Sequence, residues 1–380
     1  MTPKHHFSTL AIKSTENTFE EARPVSMPLY LSTTYVRNPD GSYNHDFLYS
    51  RADNPNRKVL ENSIALLEKG AVAYCFASGM AAVSAVFQSL RPGDHILLPD
   101  DIYFNIYALV KEVFEPWQLE ASLVDMSDLD AIKTATKSNT RLIWLETPSN
   151  PQLKITDLEA VVAFAKKQNC LVAVDNTWPT PVLTRPIEWG VDIVVHSTTK
   201  YFGGHSDVLS GAVVLKEQNE RAERIARIQA LSGGVPAPFD CWLISRGIQT
   251  LALRVKAQTQ SAQQLAEFLE QHPAIEQVNY PGLDSHPQHA IAKKQMPDGF
   301  GAMLSVLVKG DAKQAMALSN RLELFTTATS LGGVESLVEH RKSVEGEDSP
   351  TPGNLLRISV GLEDARDLIL DWERALADLV

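Results

Sequence analysis

The segment 196–207 holds a lysine among small polar residues. It reads HSTTKYFGGHSD and follows Val191–Val195, an apolar run that predicts a buried strand. An amine in a partly dehydrated site at a strand end can act as a nucleophile toward an aldehyde. Lys200 is therefore the first candidate for covalent chemistry, and Ser197 and Thr199 offer hydroxyl donors beside it.

Polar residues also follow four other short apolar runs. In an open parallel sheet, ligands bind beyond the carboxyl ends of the strands, so residues at those ends are predicted to meet in one cleft. The residues at these ends are Ser78, Gly79 and Met80 after 71–77, Tyr103 after 95–98, Asn150 after 142–145, and Asp175 and Thr177 after 171–174.

Together these residue types describe one ligand. Backbone N–H groups at the helix start near Gly79 favour a phosphate. Tyr103 can stack on a flat ring, and Asp175 can hold a proton on a ring nitrogen. Lys200 can bond to an aldehyde, so the set predicts pyridoxal 5′-phosphate, whose protonated ring withdraws electrons from a substrate.

The elements that must position these residues have an α/β pattern. The runs 71–77, 95–98, 142–145, 171–174, 191–195 and 212–215 are near-continuous and apolar, as in strands buried on both faces of a sheet. Helical segments alternate with them, and Thr156 and Glu159 have capping-box spacing. This pattern predicts a doubly wound, mostly parallel sheet.

The chain divides into three predicted parts. Residues 1–48 show weak periodicity and are predicted to form an N-terminal arm. Residues 49–239 form the α/β domain with the predicted cleft. Residues 240–380 form a smaller α+β domain, which begins with a long helix over 246–271.

Composition narrows the class of protein. The chain has 380 residues and a formal net charge of −11 without a long basic cluster, which argues against nucleic acid as a partner. Its three cysteines are scattered, so neither a disulfide framework nor a metal site is expected. Without a signal peptide or a membrane-spanning apolar stretch, the expected location is the cytoplasm.

Ordered motifs run along nearly the whole chain. They are PLYLSTTY at 28–35, YSRADNP at 49–55, SGMAA at 78–82, ETPSNP at 146–151, VDNTW at 174–178, HSTTKYFGGHSD at 196–207, SLGGVESL at 330–337 and LLRISVGLED at 355–364. This set resembles the trans-sulfuration family, the pyridoxal-phosphate enzymes of cysteine and methionine metabolism. The resemblance implies fold type I of the pyridoxal-phosphate-dependent transferases, with a large α/β domain and a smaller C-terminal domain.

The same resemblance implies roles for individual residues. Lys200 would form the Schiff base and carry protons, and Tyr103, Ser330 and Tyr49 would assist. Arg357, Asn150 and Ser330 would bind the amino-acid substrate. The cofactor would be held by Ser78, Gly79, Met80, Tyr103, Asn150, Asp175, Thr177, Ser197, Thr199, Lys200, Tyr49 and Arg51. Tyr49 and Arg51 would reach the phosphate of a neighbouring subunit, which implies a homo-oligomer, usually a dimer of dimers.

The implied reaction is carbon–sulfur chemistry on an amino acid. The chain most resembles cystathionine γ-synthases, which replace the acyl group of an O-acylhomoserine with cysteine. Cystathionine γ-lyase, cystathionine β-lyase and methionine γ-lyase share the cofactor residues and remain alternatives. Thr329 stands where γ-synthases and γ-lyases often carry a glutamate, and the loop 338–352 departs from the synthase pattern.

Structural roles also remain open for several of these residues. Asp175 alone would be better explained as a turn cap, and Arg357 as a structural ion-pair partner. Arg51 could pair with Asp53 or Asp46 on the surface. A non-catalytic, cofactor-binding regulatory protein is the hypothesis from a different class.

Overall fold

Two β-sheets with flanking helices make up the fold. The computed structural model describes residues 5–16, 24–346 and 349–377, so parts of the predicted arm and of the loop 338–352 lie outside the described residues. One sheet has seven strands and the other has five. Within its described residues, the arm contributes a short helix, α1, a 3-10 turn at Asn44–Asp46 and two isolated β-bridges.

The helices and strands have the following bounds, in chain order. The helices are α1 (Phe7–Lys13), α2 (Pro55–Glu68), α3 (Gly79–Gln88), α4 (Phe104–Leu109), α5 (Leu129–Ala135), α6 (Leu158–Gln168), α7 (Thr180–Leu183), α8 (Glu220–Ser232), α9 (Pro238–Ile248), α10 (Leu251–Gln271), α11 (His289–Gln295), α12 (Ala312–Ser319), α13 (Arg341–Glu345) and α14 (Ala365–Leu376). The strands are β1 (Val72–Phe76), β2 (His95–Pro99), β3 (Glu120–Val124), β4 (Thr140–Glu146), β5 (Leu171–Asp175), β6 (Ile193–His196), β7 (Gly211–Leu215), β8 (Ile275–Asn279), β9 (Met303–Val308), β10 (Thr326–Thr327), β11 (Leu337–His340) and β12 (Leu355–Ser359).

The seven-stranded sheet has the order β1-β7-β6-β5-β4-β2-β3. β2 to β6 run parallel, whereas β7 is antiparallel to both of its neighbours. The mostly parallel sheet predicted from the apolar runs is therefore present. Because β2 to β6 run parallel, their carboxyl ends lie at one edge of the sheet.

The five-stranded sheet has the order β10-β11-β12-β9-β8 and is antiparallel except between β10 and β11. It lies in the C-terminal part, as the α+β pattern predicts. One hydrophobic cluster spans residues of both sheets and runs from Ala11 to Leu376. The boundaries at 48 and 239 remain a prediction.

Two local predictions are wrong. The predicted capping box of Thr156 does not form, because Asp157 caps α6 by accepting from the N–H of Ala160 at 3.1 Å. The single helix predicted over 246–271 is divided into α9 and α10. Near the end of α9, the backbone of Gly247 packs directly against the turn that follows Lys200. A Cβ atom at Gly247 would lie 2.3 Å from the carbonyl oxygen of Phe202.

Candidate active site

A cavity of about 410 Å³ lies at the carboxyl edge of the seven-stranded sheet. It collects residues from both sheets and from the loops that follow β1, β2, β4, β5 and β6. Residues predicted from the sequence that line it are Ser78, Gly79, Met80, Tyr103, Asn150, Asp175, Thr177, Ser197, Thr199, Lys200, Ser330 and Arg357. The predicted cleft is therefore a structural feature, and the role of each residue remains a proposal.

The Lys200 amine lies inside this cavity. Its Nζ donates to the Ser330 hydroxyl at 2.8 Å. Burial lowers the pKa of Lys200 to about 8, and the charges of Arg357 and Arg341 act in the same direction. The neutral, nucleophilic amine is thus accessible near neutral pH, which Schiff-base chemistry requires.

Two carboxyl groups lie on neighbouring strands of the cavity wall. Glu146 at the end of β4 is paired in register with Asp175 at the end of β5. Burial raises the pKa of Asp175 despite hydrogen bonds from Thr177. Burial also raises the pKa of Glu146 well above its usual range, and the nearby Asp175 adds to this effect. A protonated ring nitrogen would offset the burial cost of an ionised Asp175.

The start of α3 offers donors for an anion. Ser78 caps the helix by accepting from Ala81 at 3.1 Å, which leaves the first N–H groups of α3 at the cavity. Gly79 packs so closely that a Cβ atom would lie 2.9 Å from the Cβ of Ser197. Backbone donors and the Ser197 hydroxyl therefore converge at one place, as a phosphate requires.

Thr199 is less free to act as a phosphate donor than the sequence indicates. Its hydroxyl donates to the carbonyl oxygen of Ser210 at 2.9 Å and accepts from the Ser210 N–H at 2.9 Å. These contacts anchor the turn that carries Lys200. Thr177 likewise orients its neighbours, because its hydroxyl accepts from the Ser197 N–H at 2.8 Å.

Tyr103 lies at the start of α4 and faces the cavity. Its backbone N–H donates to Glu146 at 3.1 Å, and its hydroxyl accepts from Asn105 at 2.8 Å. These two contacts fix the aromatic ring at both ends. Asn150 is buried, and its side-chain oxygen lies 3.5 Å from Nη1 of Arg357.

Arg357 lies in the middle of β12 and lines the cavity. Its Nη2 contacts the Ser330 carbonyl oxygen at 3.0 Å and Glu339 at 2.7 Å. Its Nε is buried without a hydrogen-bond partner among the described residues. An unsatisfied buried N–H is costly. A substrate carboxylate that accepted a hydrogen bond from this N–H would remove that cost. The ion pair with Glu339 means that Arg357 also has the structural role that the sequence left open.

Tyr49 and Arg51 do not line the cavity of their own chain. Arg51 donates to the carbonyl oxygen of Ala230, and its guanidinium lies 5.8 Å from the centre of the Tyr49 ring. The Tyr49 side chain is 41% exposed. Their placement leaves both residues available to another subunit, and that role remains a prediction.

Several lining residues carry no role in the sequence analysis. Arg341 and Glu345 belong to α13 and line the cavity. They lie in the loop 338–352, for which the sequence indicates only a difference from the synthase pattern. Glu146 precedes the predicted Asn150 at the same strand end. Its position just after an apolar run is a signal that identifies a cavity residue, whereas nothing in the loop sequence predicts that Arg341 faces inward.

A family model described as Cys/Met metabolism PLP-dependent enzyme matches residues 8–377. The chain belongs to this family. It is a pyridoxal-phosphate-dependent enzyme of cysteine and methionine metabolism, with the fold type I architecture that its motifs predict. Membership of an enzyme family does not support the non-catalytic regulatory hypothesis.

The similar proteins carry different activity names. A cystathionine gamma-synthase of Mycobacterium tuberculosis is 44% identical over 93% of this chain and 92% of its own length. A cystathionine beta-lyase of Coxiella burnetii is 41% identical over 98% of both chains. A cystathionine gamma-lyase of Bacillus subtilis is 42% identical over 95% of this chain and 96% of its own. Identity therefore does not separate these activities.

A crystal structure of metB from Corynebacterium glutamicum has a TM-score of 0.96 and 41% sequence identity, covering 99% of both chains. The cavity fits pyridoxal phosphate on its own chemistry, because it combines a partly dehydrated amine, a buried carboxyl group and the N-terminus of α3. In the described part of the chain, each helix is too short or too polar to cross a membrane.

Proposed function

We propose that this enzyme replaces the acyl group of an O-acylhomoserine with the sulfur of cysteine, the reaction of a cystathionine γ-synthase. The carbon–oxygen bond at Cγ would break, a carboxylic acid would leave, and a carbon–sulfur bond would form. The choice of γ-replacement follows the 44% identity to a cystathionine gamma-synthase. The observation that carries amino-acid chemistry, which elimination would share, is the bridge made by Ser330, whose hydroxyl contacts Lys200 and whose carbonyl contacts Arg357. It joins a proton-carrying amine to a carboxylate-binding group, as chemistry at an amino-acid Cα requires.

The bound cofactor would supply an electron-withdrawing ring that stabilises negative charge next to the substrate nitrogen. Lys200 would hold the cofactor between turnovers and then move a proton at the substrate Cα. Asp175 would keep the ring nitrogen protonated, and Tyr103 would cover the ring. Arg357, assisted by Asn150, would orient the substrate through its α-carboxylate.

The remaining residues would hold the cofactor. The N–H groups of Gly79 and Met80 and the hydroxyl of Ser197 would bind the phosphate. Ser78 would act through the cap of α3, and Thr199 and Thr177 through their contacts with Ser210 and Ser197.

Carbon–sulfur elimination is the second candidate. Relatives named cystathionine beta-lyase and cystathionine gamma-lyase cover at least 95% of the chain with 41% and 42% identity, close to the 44% of the synthase. Methionine γ-lyase activity belongs to the same class. Elimination would use the same Lys200 and Arg357, and it would differ in which bond breaks and in what replaces the leaving group.

The proposal extends to the assembly. A homo-oligomer, most simply a dimer of dimers, would let Tyr49 and Arg51 act at the site of a neighbouring subunit. We place this assembly in the cytoplasm, since the composition predicts a reducing compartment.

Product analysis tests the choice of reaction. The purified enzyme would receive O-succinylhomoserine or O-acetylhomoserine with cysteine, cystathionine alone, or methionine alone. Cystathionine formed from the ester supports the proposal. Pyruvate with homocysteine from cystathionine would identify a β-lyase, and 2-oxobutyrate with cysteine a γ-lyase. Lys200→Ala is the control, and we expect it to lose at least about 100-fold in turnover of every substrate.

A further inference from the structure

A second guanidinium group, that of Arg341, faces the same cavity. A continuous series of contacts connects it to the Lys200 amine. Ser330 contacts both Lys200 and Arg357, Arg357 contacts Glu339 at 2.7 Å, and Glu339 accepts from Arg341 at 2.8 Å. Arg341 thus belongs to the wall of the active site, although the sequence assigns no role to it.

Glu345 holds Arg341 in place, and both of its carboxylate oxygens are already hydrogen-bonded. Its Oε1 accepts from Nε and Nη2 of Arg341 at 3.1 and 2.5 Å. Its Oε2 accepts from the hydroxyls of Ser349 and Thr351 at 2.6 and 2.5 Å. Both carboxylate oxygens therefore have two donors each, so Glu345 fixes the guanidinium and does not itself offer a site for a ligand.

Arg341 retains capacity for a ligand. A guanidinium has five N–H donors, and its contacts with described residues use one on Nε, one on Nη1 and one on Nη2. One donor on each Nη nitrogen is left. Two such neighbouring donors match the two oxygens of a carboxylate or of an ester.

The surroundings favour this use of Arg341. Its side chain is only 4% exposed, so water competes weakly for the remaining donors. Thr329 also lines the cavity, and its hydroxyl adds no negative charge that would repel an anionic group.

We propose that Arg341 binds the oxygen atoms of the substrate's γ-substituent and thereby selects amino acids that carry a carboxyl or acyl group there. Substrates whose γ-substituent carries no oxygen atom would lack this contact. The inference rests on the proposed function, because it refines the substrate class of that same site. Arg357 would bind the α-carboxylate, and Arg341 would donate hydrogen bonds to the γ-substituent at the other end of the substrate.

Two unreactive amino acids test this selection. 2-Aminoadipate and norleucine have side chains of similar length, and they differ in a terminal carboxylate or methyl group. Their dissociation constants would be measured on the cofactor-loaded enzyme from the change in its visible spectrum. We expect 2-aminoadipate to bind about 10- to 100-fold more tightly than norleucine, as expected for a charged hydrogen-bonded pair.

Variants separate this contact from general damage to the cavity. In Arg341→Met, the preference should fall to within about twofold while norleucine binds as before. Arg366→Met is the matched control, because it removes an exposed arginine that pairs with Asp364. It should keep the full preference.

Equal affinity of the wild-type enzyme for the two ligands would overturn the inference, and this comparison needs no variant to fold. An Arg341→Met enzyme that weakens both ligands alike would also overturn it. Failure of the proposed function appears differently, as the absence of cystathionine from the ester panel whatever the two affinities are.

Discussion

Ser330 is the residue on which the two halves of the active site depend. Its φ angle is 91°, a left-handed conformation that side-chain-bearing residues rarely adopt and that costs about 1–3 kcal/mol. The surrounding contacts hold it there, since Lys200 binds its hydroxyl and Arg357 its carbonyl oxygen. The strain lies where the amine and the carboxylate-binding group must keep a fixed relation, which is where backbone strain commonly serves a function.

The depressed pKa of Lys200 makes a prediction for cofactor capture. Only the neutral amine attacks an aldehyde, and burial lowers the pKa of Lys200 to about 8. The rate at which cofactor-free protein captures pyridoxal phosphate should therefore rise about tenfold per pH unit below 8 and level off above it. Stopped-flow absorbance from pH 6 to 10 measures this.

Lys200→Ala is the control for that experiment, because it should show no covalent capture at any pH. A midpoint near 10.5, the ordinary lysine value, would contradict the environment described for the amine.

At the scale of elements, α2 connects the sheet to the segment that carries Tyr49 and Arg51. Arg57 on α2 is 1% exposed and donates to the carbonyl oxygen of Ser50 at 2.7 Å. Its Nε lies 3.7 Å from Glu61 one turn later. Glu61 in turn accepts from the Cys75 N–H at 2.9 Å. The segment before α2 is thus anchored to β1 through two buried charged residues.

Glu61 should make stability depend on pH. Burial raises its pKa from 4.5 to about 7, so between these values the folded chain holds a proton that the unfolded chain has lost. The free energy of unfolding should therefore decrease as pH rises from 4.5 to 7, by about 1.4 kcal/mol per unit, and the contribution is constant above 7. Glu61→Gln keeps the shape and cannot titrate, so its stability relative to wild type should increase over this range.

Urea unfolding at several pH values measures the difference between the two proteins. Glu267→Gln, on the exposed face of α10, controls for the chemical change itself. A constant difference between wild type and Glu61→Gln from pH 4.5 to 7 would contradict the prediction.

The strand ends were predictable because buried parallel strands are apolar runs with polar residues directly after them. Asp175 at the end of β5 and Lys200 after β6 are found by this rule alone. β3 escapes it because it is an edge strand with exposed positions, so its sequence EASLV has no continuous apolar character. The rule also misses β11 and α13, because they contain charged residues that the pattern assigns to the surface. Glu339 and Arg341 are buried there as an ion pair.

At the scale of the molecule, the arm leaves apolar surface uncovered. Within the described part of the arm, Val36 is 90% exposed and Leu31 is 69% exposed. The arm lies against the C-terminal helices, because Trp242 donates to the carbonyl oxygen of Met27 at 2.9 Å. Leu231 on α8, which precedes Trp242 in the chain, is 72% exposed. A homo-oligomer, which the family motifs imply, would offer these apolar residues a partner surface, and that assembly remains a prediction.

Mixed oligomers test whether Arg51 acts across that interface. Lys200→Ala and Arg51→Ala chains should each be inactive or weakly active alone. If Arg51 serves the neighbouring site, a dimer of the two variants has one site with both residues intact, so co-expression should restore about a quarter of wild-type activity. Activity that is not restored would mean that Arg51 acts within its own chain or only stabilises the fold.

The reverse pairing decides between those readings. Wild-type chains mixed with chains that carry both substitutions should form inactive mixed dimers if Arg51 acts across the interface, because the one site with Lys200 would then lack its partner's Arg51. With equal amounts of the two chains, total activity would be about a quarter of that of a sample in which all chains are wild type. If Arg51 instead serves its own chain, each wild-type chain stays active in every dimer and about half of the activity remains. Two opposite pairings thus give opposite results for the same pair of residues, which a general loss of stability cannot imitate.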